Sequence, residues 1–148
     1  TRIRIEINHY WLQYSEELYR KVGLQVHEAR VLLTGIVKEP TMRVDAVRLA
    51  WQAEGVREVI NEIEVAEAGD LIDAVRDSGI SRRLDAKLML DREIRSINYS
   101  AVAVGGVVYL IGVAHDEAEL QRVIDHARDI PYVRRVVSHV RVKNVPAP

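Results

Sequence analysis

The chain has 148 residues, of which 48% are hydrophobic and 29% charged, with a formal net charge of −1 at pH 7. This is the composition of an ordinary globular protein, and it excludes a disordered or low-complexity chain. The sequence contains no cysteine, which excludes disulfides, thiolate metal sites and cysteine nucleophiles, and no apolar run approaches the roughly 18 residues of a membrane-spanning helix.

The charge is unevenly distributed along the chain. Residues 67–77 carry a net charge of −3, whereas residues 78–148 carry 11 basic and 8 acidic groups. A basic second half favours an anionic partner such as phospholipid or nucleic acid, although a solvated surface with scattered arginines explains the same numbers. The chain begins at Thr1 rather than at Met, so we expect a processed or trimmed form. A removed signal peptide and a removed lipid-bearing cysteine are both open alternatives.

The first predicted elements are a helix, a hairpin, a second helix and a strand. Apolar and aromatic residues fit one face of a helix over 3–18, although the first isoleucines alone alternate as they would in a strand. Apolar residues then alternate over 22–26 and 31–35 around a short turn, which predicts a β-hairpin. Pro40 suits the first turn of a second helix, and residues 56–65 form the predicted third strand.

The same order of elements is predicted in the second half of the chain. Residues 81–92 are rich in helix-forming residue types. Gly105 and Gly106 lie between β-branched runs and suit a hairpin turn, because both can adopt positive φ. Asp116 can cap the next helix by accepting hydrogen bonds from its first N–H groups, and residues 132–142 form the last predicted strand.

The two halves are copies of one unit. Residues 31–65 recur without a gap 77 positions later as residues 108–142. About a dozen positions match at this one offset, including Gly35 with Gly112, whereas chance explains one or two. We therefore predict an α+β chain with two αββαβ modules. The predicted modules span residues 1–66 and 78–145, with a junction at 67–77 that is partly helical at 71–75.

No motif of a catalytic or cofactor-binding site is present in the sequence. None of the five histidines has the i, i+4 spacing with a glutamate that marks a zinc-binding helix. Neighbouring carboxylates such as Asp116 and Glu117, or Glu62 and Glu64, fall at helix starts or on strand exteriors rather than in a pocket. No serine lies in a Gly-x-Ser-x-Gly elbow, and the glycine pair at 105–106 precedes a strand rather than a helix. We expect no enzyme activity, no metal and no cofactor.

A basic amphipathic helix is the first candidate binding surface. Its predicted lipid-binding residues are Arg82, Arg83, Lys87, Arg92 and Leu88. Such a helix can lie on a membrane surface with its cations near the phosphates and its apolar residues turned inward. In the alternative interpretation, Leu84 and Leu88 pack on the sheet, because so small a core needs them, and the basic groups are solvated.

An aromatic cluster on the first helix is the second candidate surface. It consists of Tyr10, Trp11 and Tyr14. Aromatic groups of this kind mark a protein contact or a membrane interface. The alternative, which we favour, is that they form a core between the two modules.

Four tracts of the sequence carry a resemblance to a known family. They are Val-Leu-Leu-Thr-Gly-Ile-Val (31–37), Gly-Val-x-x-Val-x-Asn-x-Ile (55–63), Gly-Gly-Val-Val-Tyr-Leu-Ile-Gly (105–112) and Val-Arg-Arg-Val-Val-Ser-His-Val (133–140). In these tracts the chain resembles the BON domain family, in two copies that cover nearly its whole length. Two positions depart from the family pattern: Ala29 stands where family hairpins often have glycine, and Tyr132 replaces the glycine that matches Gly55.

The resemblance implies a fold and a location. The family fold is a three-stranded mixed sheet with two helices on one face. Tandem members of the family are typically periplasmic or anchored to the outer membrane of Gram-negative bacteria, here through an N-terminal segment absent from this chain. Roles in osmotic stress and envelope integrity, and binding of anionic phospholipid, are attributed to the family.

Two functional hypotheses follow from these observations. In the first, the chain is a non-catalytic envelope protein that binds an anionic phospholipid membrane through its second module. In the second, it is an adaptor for an envelope protein partner or a self-associating homo-oligomer, with the aromatic cluster and an open sheet edge as the contact. A nucleic-acid partner is disfavoured, because the total charge is near neutral and no sheet face combines aromatic with basic residues.

Overall fold

The computed structural model describes residues 1–67 and 71–143. The chain forms two compact units, Thr1–Ala68 and Gly69–Pro148, and each unit has a hydrophobic core of its own. The predicted end of the second module at residue 145 lies outside the described residues, as do positions 68–70 of the predicted junction.

The first module contains three helices and three strands. They are α1 (Arg2–Tyr14), α2 (Glu16–Lys21), β1 (Val22–His27), β2 (Arg30–Val37), α3 (Pro40–Trp51) and β3 (Glu58–Val65). The single helix predicted over 3–18 is divided in two at Ser15. This residue is extended, its N–H donates to the Trp11 carbonyl oxygen at the end of α1, and its side chain accepts from the Leu18 N–H at the start of α2. Ser15 therefore ends one helix and caps the next.

The strands of the first module form the predicted mixed sheet, in the order β1-β2-β3. β1 and β2 pair antiparallel across a turn at Glu28 and Ala29, and Glu28 takes the positive φ of 58° that this tight connection requires. β2 and β3 pair parallel, with α3 as the crossover between them. Alternate residues of the central strand, including Val31 and Leu33, share one core with α1, α2 and α3, so the helices cover one face of the sheet.

The second module repeats this topology with a different first helix. Its elements are α4 (Leu71–Leu90), a short 3₁₀ helix (Ser96–Asn98), β4 (Tyr99–Val104), β5 (Val107–Ala114), α5 (Glu117–Arg128) and β6 (Arg135–Val142). The order β4-β5-β6 pairs an antiparallel hairpin with a parallel third strand. The predicted αββαβ modules with mixed sheets are thus confirmed.

Helix α4 extends into the predicted junction instead of beginning near residue 81. A contact to the hairpin accounts for this longer helix. The Asp77 carboxylate accepts hydrogen bonds from the N–H groups of Gly105 and Gly106, at 2.8 and 3.0 Å, in the turn between β4 and β5. Because these N–H groups have no partner within the turn, the carboxylate stabilises the turn and the helix together.

The glycine shared by both copies has a steric reason. Gly35 in β2 and Gly112 in β5 have φ of 131° and 147°, a region that favours glycine. A Cβ at Gly35 would overlap the carbonyl oxygen of Lys21, and a Cβ at Gly112 would overlap that of Asn98. In each module, glycine therefore allows the chain that enters the first strand to cross close to the second strand.

The 77-residue offset also relates the first helices of the two modules. Ile7 and Trp11 of α1 correspond to Leu84 and Leu88 of α4, and all four side chains are buried in the core of their own module. The duplication therefore includes the helix before the hairpin, where the sequences alone differ too much to align.

Candidate functional site

One face of the predicted lipid-binding helix is buried, and one of the predicted lipid-binding residues lies on that face. Ile80, Leu84 and Leu88 lie one turn apart on α4 and are all buried in the core of the second module. Leu88 was predicted to contact lipid. That part of the prediction is corrected, because this side chain packs against the sheet and is not available at the surface.

The basic residues of the predicted set lie outside this core. Arg82, Arg83 and Arg92 are exposed and Lys87 is half-buried. Within the described part of the chain, none of these four cations is in an ion pair. Asp85, on the same helix, has its pKa raised above 3.8 by desolvation. Residues 82–90 carry three basic groups and one acidic group, so this end of α4 has a net positive charge.

Large apolar side chains are exposed where α4 ends. Met89, Leu90 and Ile97 are 73%, 82% and 87% exposed, and the 3₁₀ helix that carries Ile97 contacts α4. None of these three residues was predicted as a site residue. The sequence does indicate that Leu90 is exposed, because it lies outside the i, i+4 spacing that relates the buried leucines of this helix. Ile97 follows the helix and has no periodicity to place it.

The predicted aromatic surface is not a cluster at the surface. The Trp11 side chain is fully buried, and its indole N–H donates to the Ala46 carbonyl oxygen of α3 at 3.1 Å. Tyr10 is partly buried against the same core. Tyr14 is exposed, and its hydroxyl donates to Asp45. The predicted interaction role of Trp11 is corrected, because this residue belongs to the core of the first module.

A group of charged residues ties the segment after α4 to helix α5. Asp91 accepts hydrogen bonds from Arg122 at 2.8 Å, lies 2.7 Å from His126 Nε2, and also accepts from the backbone N–H of Glu93. Arg122 forms a second ion pair with Glu93 at 2.8 Å. The hydrogen bond with His126, the Glu93 N–H and Arg122 together lower the pKa of Asp91 from 3.8 to about 2.

The lowered pKa of Asp91 predicts an acid-sensitive contribution to stability. The contribution is complete above the ordinary pKa of 3.8 and is lost as the pH falls through about 2, because the folded protein must then take up the proton. We expect Asp91→Asn to lower the unfolding temperature near neutral pH, with a difference from the parent that shrinks towards pH 2. Thermal unfolding followed by circular dichroism measures this. Asp129→Asn, at an exposed carboxylate, is the control, and an equal pH dependence in both variants would contradict the expectation.

A buried carboxylate organises the start of α5. Glu119 accepts hydrogen bonds from the hydroxyl of Tyr99, from the N–H of His115 at 3.1 Å and from the N–H of Arg95 at 3.4 Å. Asp116 caps the same helix, because its side chain accepts a hydrogen bond from the Glu119 N–H at 2.8 Å. Burial and the neighbouring Glu119 raise the pKa of the Tyr99 hydroxyl well above 10. Glu119 therefore fixes two separate segments of backbone.

None of the helices within the described residues is long and apolar enough to cross a bilayer. In those parts of the chain the structure is a duplicated α+β protein, with one αββαβ module in each half.

The chain belongs to the BON domain family. The sequence pattern of this domain matches the chain twice, over residues 17–67 and 76–144. Both matches contain a hairpin, a crossover helix and a parallel third strand, which are the parts of the modules that the duplication preserves best.

Three relatives illustrate the range of similar proteins. The chain is 41% identical over 143 residues to a protein of Anaplasma centrale called "uncharacterized protein in gshII 5′region", covering 96% of this chain and 93% of that one. It is 26% identical to the outer membrane lipoprotein DolP of Haemophilus influenzae, over 79% of this chain and 60% of that one. It is 25% identical to the osmotically-inducible protein Y of Escherichia coli, over 82% of this chain and 62% of that one. The chain thus spans less than two thirds of the length of the last two.

Proposed function

We propose that the chain is a non-catalytic bacterial envelope protein whose second module binds the surface of an anionic phospholipid membrane. The observation that carries the proposal is the combination at the end of α4. Met89, Leu90 and Ile97 expose large apolar side chains in the segment that also carries exposed arginines such as Arg92. Exposed apolar side chains of this size are unfavourable in water and are typical of interaction surfaces.

A membrane surface satisfies both kinds of side chain at once. Apolar groups are stabilised at the boundary between headgroups and acyl chains, while Arg and Lys remain beside the phosphates. Each basic residue near an anionic surface contributes about 1 kcal/mol. A protein partner would have to match the positive charge as well as the apolar side chains. We therefore propose an anionic bilayer as the partner of this surface.

The equivalent positions of the first module carry a different set of side chains, and this difference supports the second module as the proposed site. The basic positions of α4 correspond at the 77-residue offset to residues of the first module that carry no positive charge. Those residues are Ile5, Glu6, Tyr10 and Ser15. Leu12, at the position of Met89, is exposed but has no cation on the matching positions around it.

The envelope location and stress role rest on the relatives. One is named an outer membrane lipoprotein and another an osmotically-inducible protein. We propose the periplasm as the location, with a part in envelope integrity under osmotic stress.

Vesicle binding tests the proposal. We expect the protein to bind vesicles containing phosphatidylglycerol and to bind neutral phosphatidylcholine vesicles weakly. Replacing Arg82, Arg83 and Arg92 with glutamine removes three charges near the surface and should weaken binding about a hundredfold at about 1 kcal/mol each. Co-sedimentation at fixed ionic strength measures this effect. Equal binding to both kinds of vesicle would overturn the proposal.

A matched pair of apolar substitutions tests the insertion step. Met89→Ser and Leu12→Ser change exposed residues at equivalent positions of the two modules. We expect only Met89→Ser to weaken vesicle binding, with both variants keeping the parent unfolding temperature. If both variants bind as the parent does, apolar insertion at α4 is excluded.

A further inference from the structure

A basic pocket lies at one end of the second sheet, beside the 3₁₀ helix that carries Ile97. It has a volume of about 320 Å³ and is lined by Arg95, Asn98, Val113, His115 and Lys143. These residues come from the segment before β4, the end of β5 and the end of β6. The antiparallel and parallel pairings bring these three chain segments to the same end of the sheet. Its volume falls near the lower end of the roughly 300–1,000 Å³ of small-molecule sites.

The cationic side chains of this pocket have no carboxylate partner. Across residues 1–67 and 71–143, Arg95, His115 and Lys143 are in no ion pair. Arg122 and His126 differ in this respect, because both of them contact the carboxylate of Asp91. Two permanent cations and a histidine line one cavity, and no ion pair with a carboxylate occupies their side chains, which favours an anion within it.

The backbone that carries these side chains is fixed by hydrogen bonds. Glu119 accepts from the N–H groups of both Arg95 and His115, and so holds two walls of the pocket to one carboxylate. The Lys143 N–H donates to the Ala114 carbonyl oxygen at 2.8 Å, which holds the third wall. A site whose walls are fixed before binding loses little conformational entropy when the ligand enters.

The equivalent positions of the first module carry a different set of side chains. The equivalent residues of the first module are Leu18, Lys21, Ile36, Lys38 and Ala66. Leu18 is buried in the core, and Lys38 is paired with Glu67 at 3.8 Å. The two copies therefore share a framework but place their cations at different positions at this end of the sheet.

We propose that this pocket binds a phosphate group. Arg95 supplies the planar donor pair that matches two phosphate oxygens, Lys143 supplies a compact charge, and the Asn98 amide supplies a neutral donor. Val113 adds an apolar wall on which the ester substituent of a phosphate can rest. The phosphate belongs either to a lipid headgroup or to a soluble phosphate ester, and both present the same oxygens to the pocket. The proposal holds independently of membrane binding by α4.

Titration of the full chain with inorganic phosphate tests the pocket directly. We expect backbone amide shifts in two-dimensional NMR to change and saturate at residues 95, 98, 113, 115 and 143, and not to do so with chloride at matched ionic strength. Arg95→Gln and Lys143→Gln should each weaken the binding about tenfold, as the loss of one charged hydrogen-bond partner does. Arg128→Gln, which removes the same charge from the exposed surface of α5, should leave it unchanged.

The outcomes separate this proposal from membrane binding by α4. Shifts that scatter over the surface without saturation, or that saturate at the same phosphate concentration in Arg95→Gln as in the parent, would overturn the phosphate site. Saturable phosphate binding supports the site even if phosphatidylglycerol vesicles do not bind, in which case only the membrane proposal fails. If vesicles do bind, competition by soluble phosphate identifies the lipid headgroup as the source, and its absence identifies a soluble ester.

Discussion

Replacing Trp11 with alanine is expected to destabilise the first module by about 3–5 kcal/mol, the range for truncating a large buried aromatic residue. The side chain is fully buried, and its removal leaves a cavity between α1, α3 and the sheet. It also removes the hydrogen bond from the indole N–H to the Ala46 carbonyl oxygen. A module of this size has a total stability of similar magnitude, so the first module should be largely unfolded in this variant.

Guanidinium denaturation followed by far-ultraviolet circular dichroism measures the effect of Trp11→Ala. The matched control is Trp51→Ala, at the chain's second tryptophan, which is 49% exposed at the end of α3. It should change the free energy of unfolding by less than about 0.5 kcal/mol. Trp11→Phe keeps most of the volume and removes only the N–H donor, so an intermediate loss is expected. Equal midpoints for the two alanine variants would contradict the assignment of Trp11 to the core.

Replacing Gly112 with alanine should destabilise the second module by at least about 2 kcal/mol. Two effects act together. The φ of 147° is unfavourable for any residue with a Cβ, and the added methyl group would overlap the backbone carbonyl of Asn98. A backbone carbonyl between two structured segments cannot turn aside as a surface side chain can. The strands β4 and β5 must therefore separate locally.

Gly79→Ala is the control, and it is expected to raise the stability rather than lower it. Gly79 lies in α4, and a Cβ at this position would meet nothing within 4 Å. Alanine should stabilise the helix by about 0.5–1 kcal/mol, because it restricts the unfolded chain more than glycine does. Thermal unfolding of both variants measures the two effects. If Gly112→Ala keeps the parent stability, the close approach at that glycine is not a constraint on the fold.

The order of elements was predictable because local signals and the repeat agreed. Alternating residues on both sides of a short turn define the hairpin, and the 77-residue offset relates residues 31–65 to 108–142, so the elements within these ranges are indicated in both copies. The orientation of Trp11 was not predictable. Its burial depends on the packing of α3 against α1, and a single aromatic residue on a helix serves a core and a surface equally well.

Other features were missed for physical reasons. The end of α1 at Ser15 depends on a cap, and a serine within a helical pattern does not reveal whether its side chain caps a new helix. The extension of α4 depends on the contact of Asp77 with a turn that lies 28 residues later in the chain. The residues of the basic pocket come from three segments with no common motif. Only the topology brings them together.

The shared glycine has a consequence for how the two copies diverged. What Gly35 and Gly112 approach is a carbonyl oxygen of the main chain, and every amino acid provides one. The steric constraint therefore does not depend on the side chain of the residue whose carbonyl is approached. That residue is Lys21 in one copy and Asn98 in the other. A contact of this kind maintains the shape of the module while leaving its chemistry open to change. After duplication, the side chain at the position of Lys21 and Asn98 could therefore change in one copy without destabilising the fold of that copy.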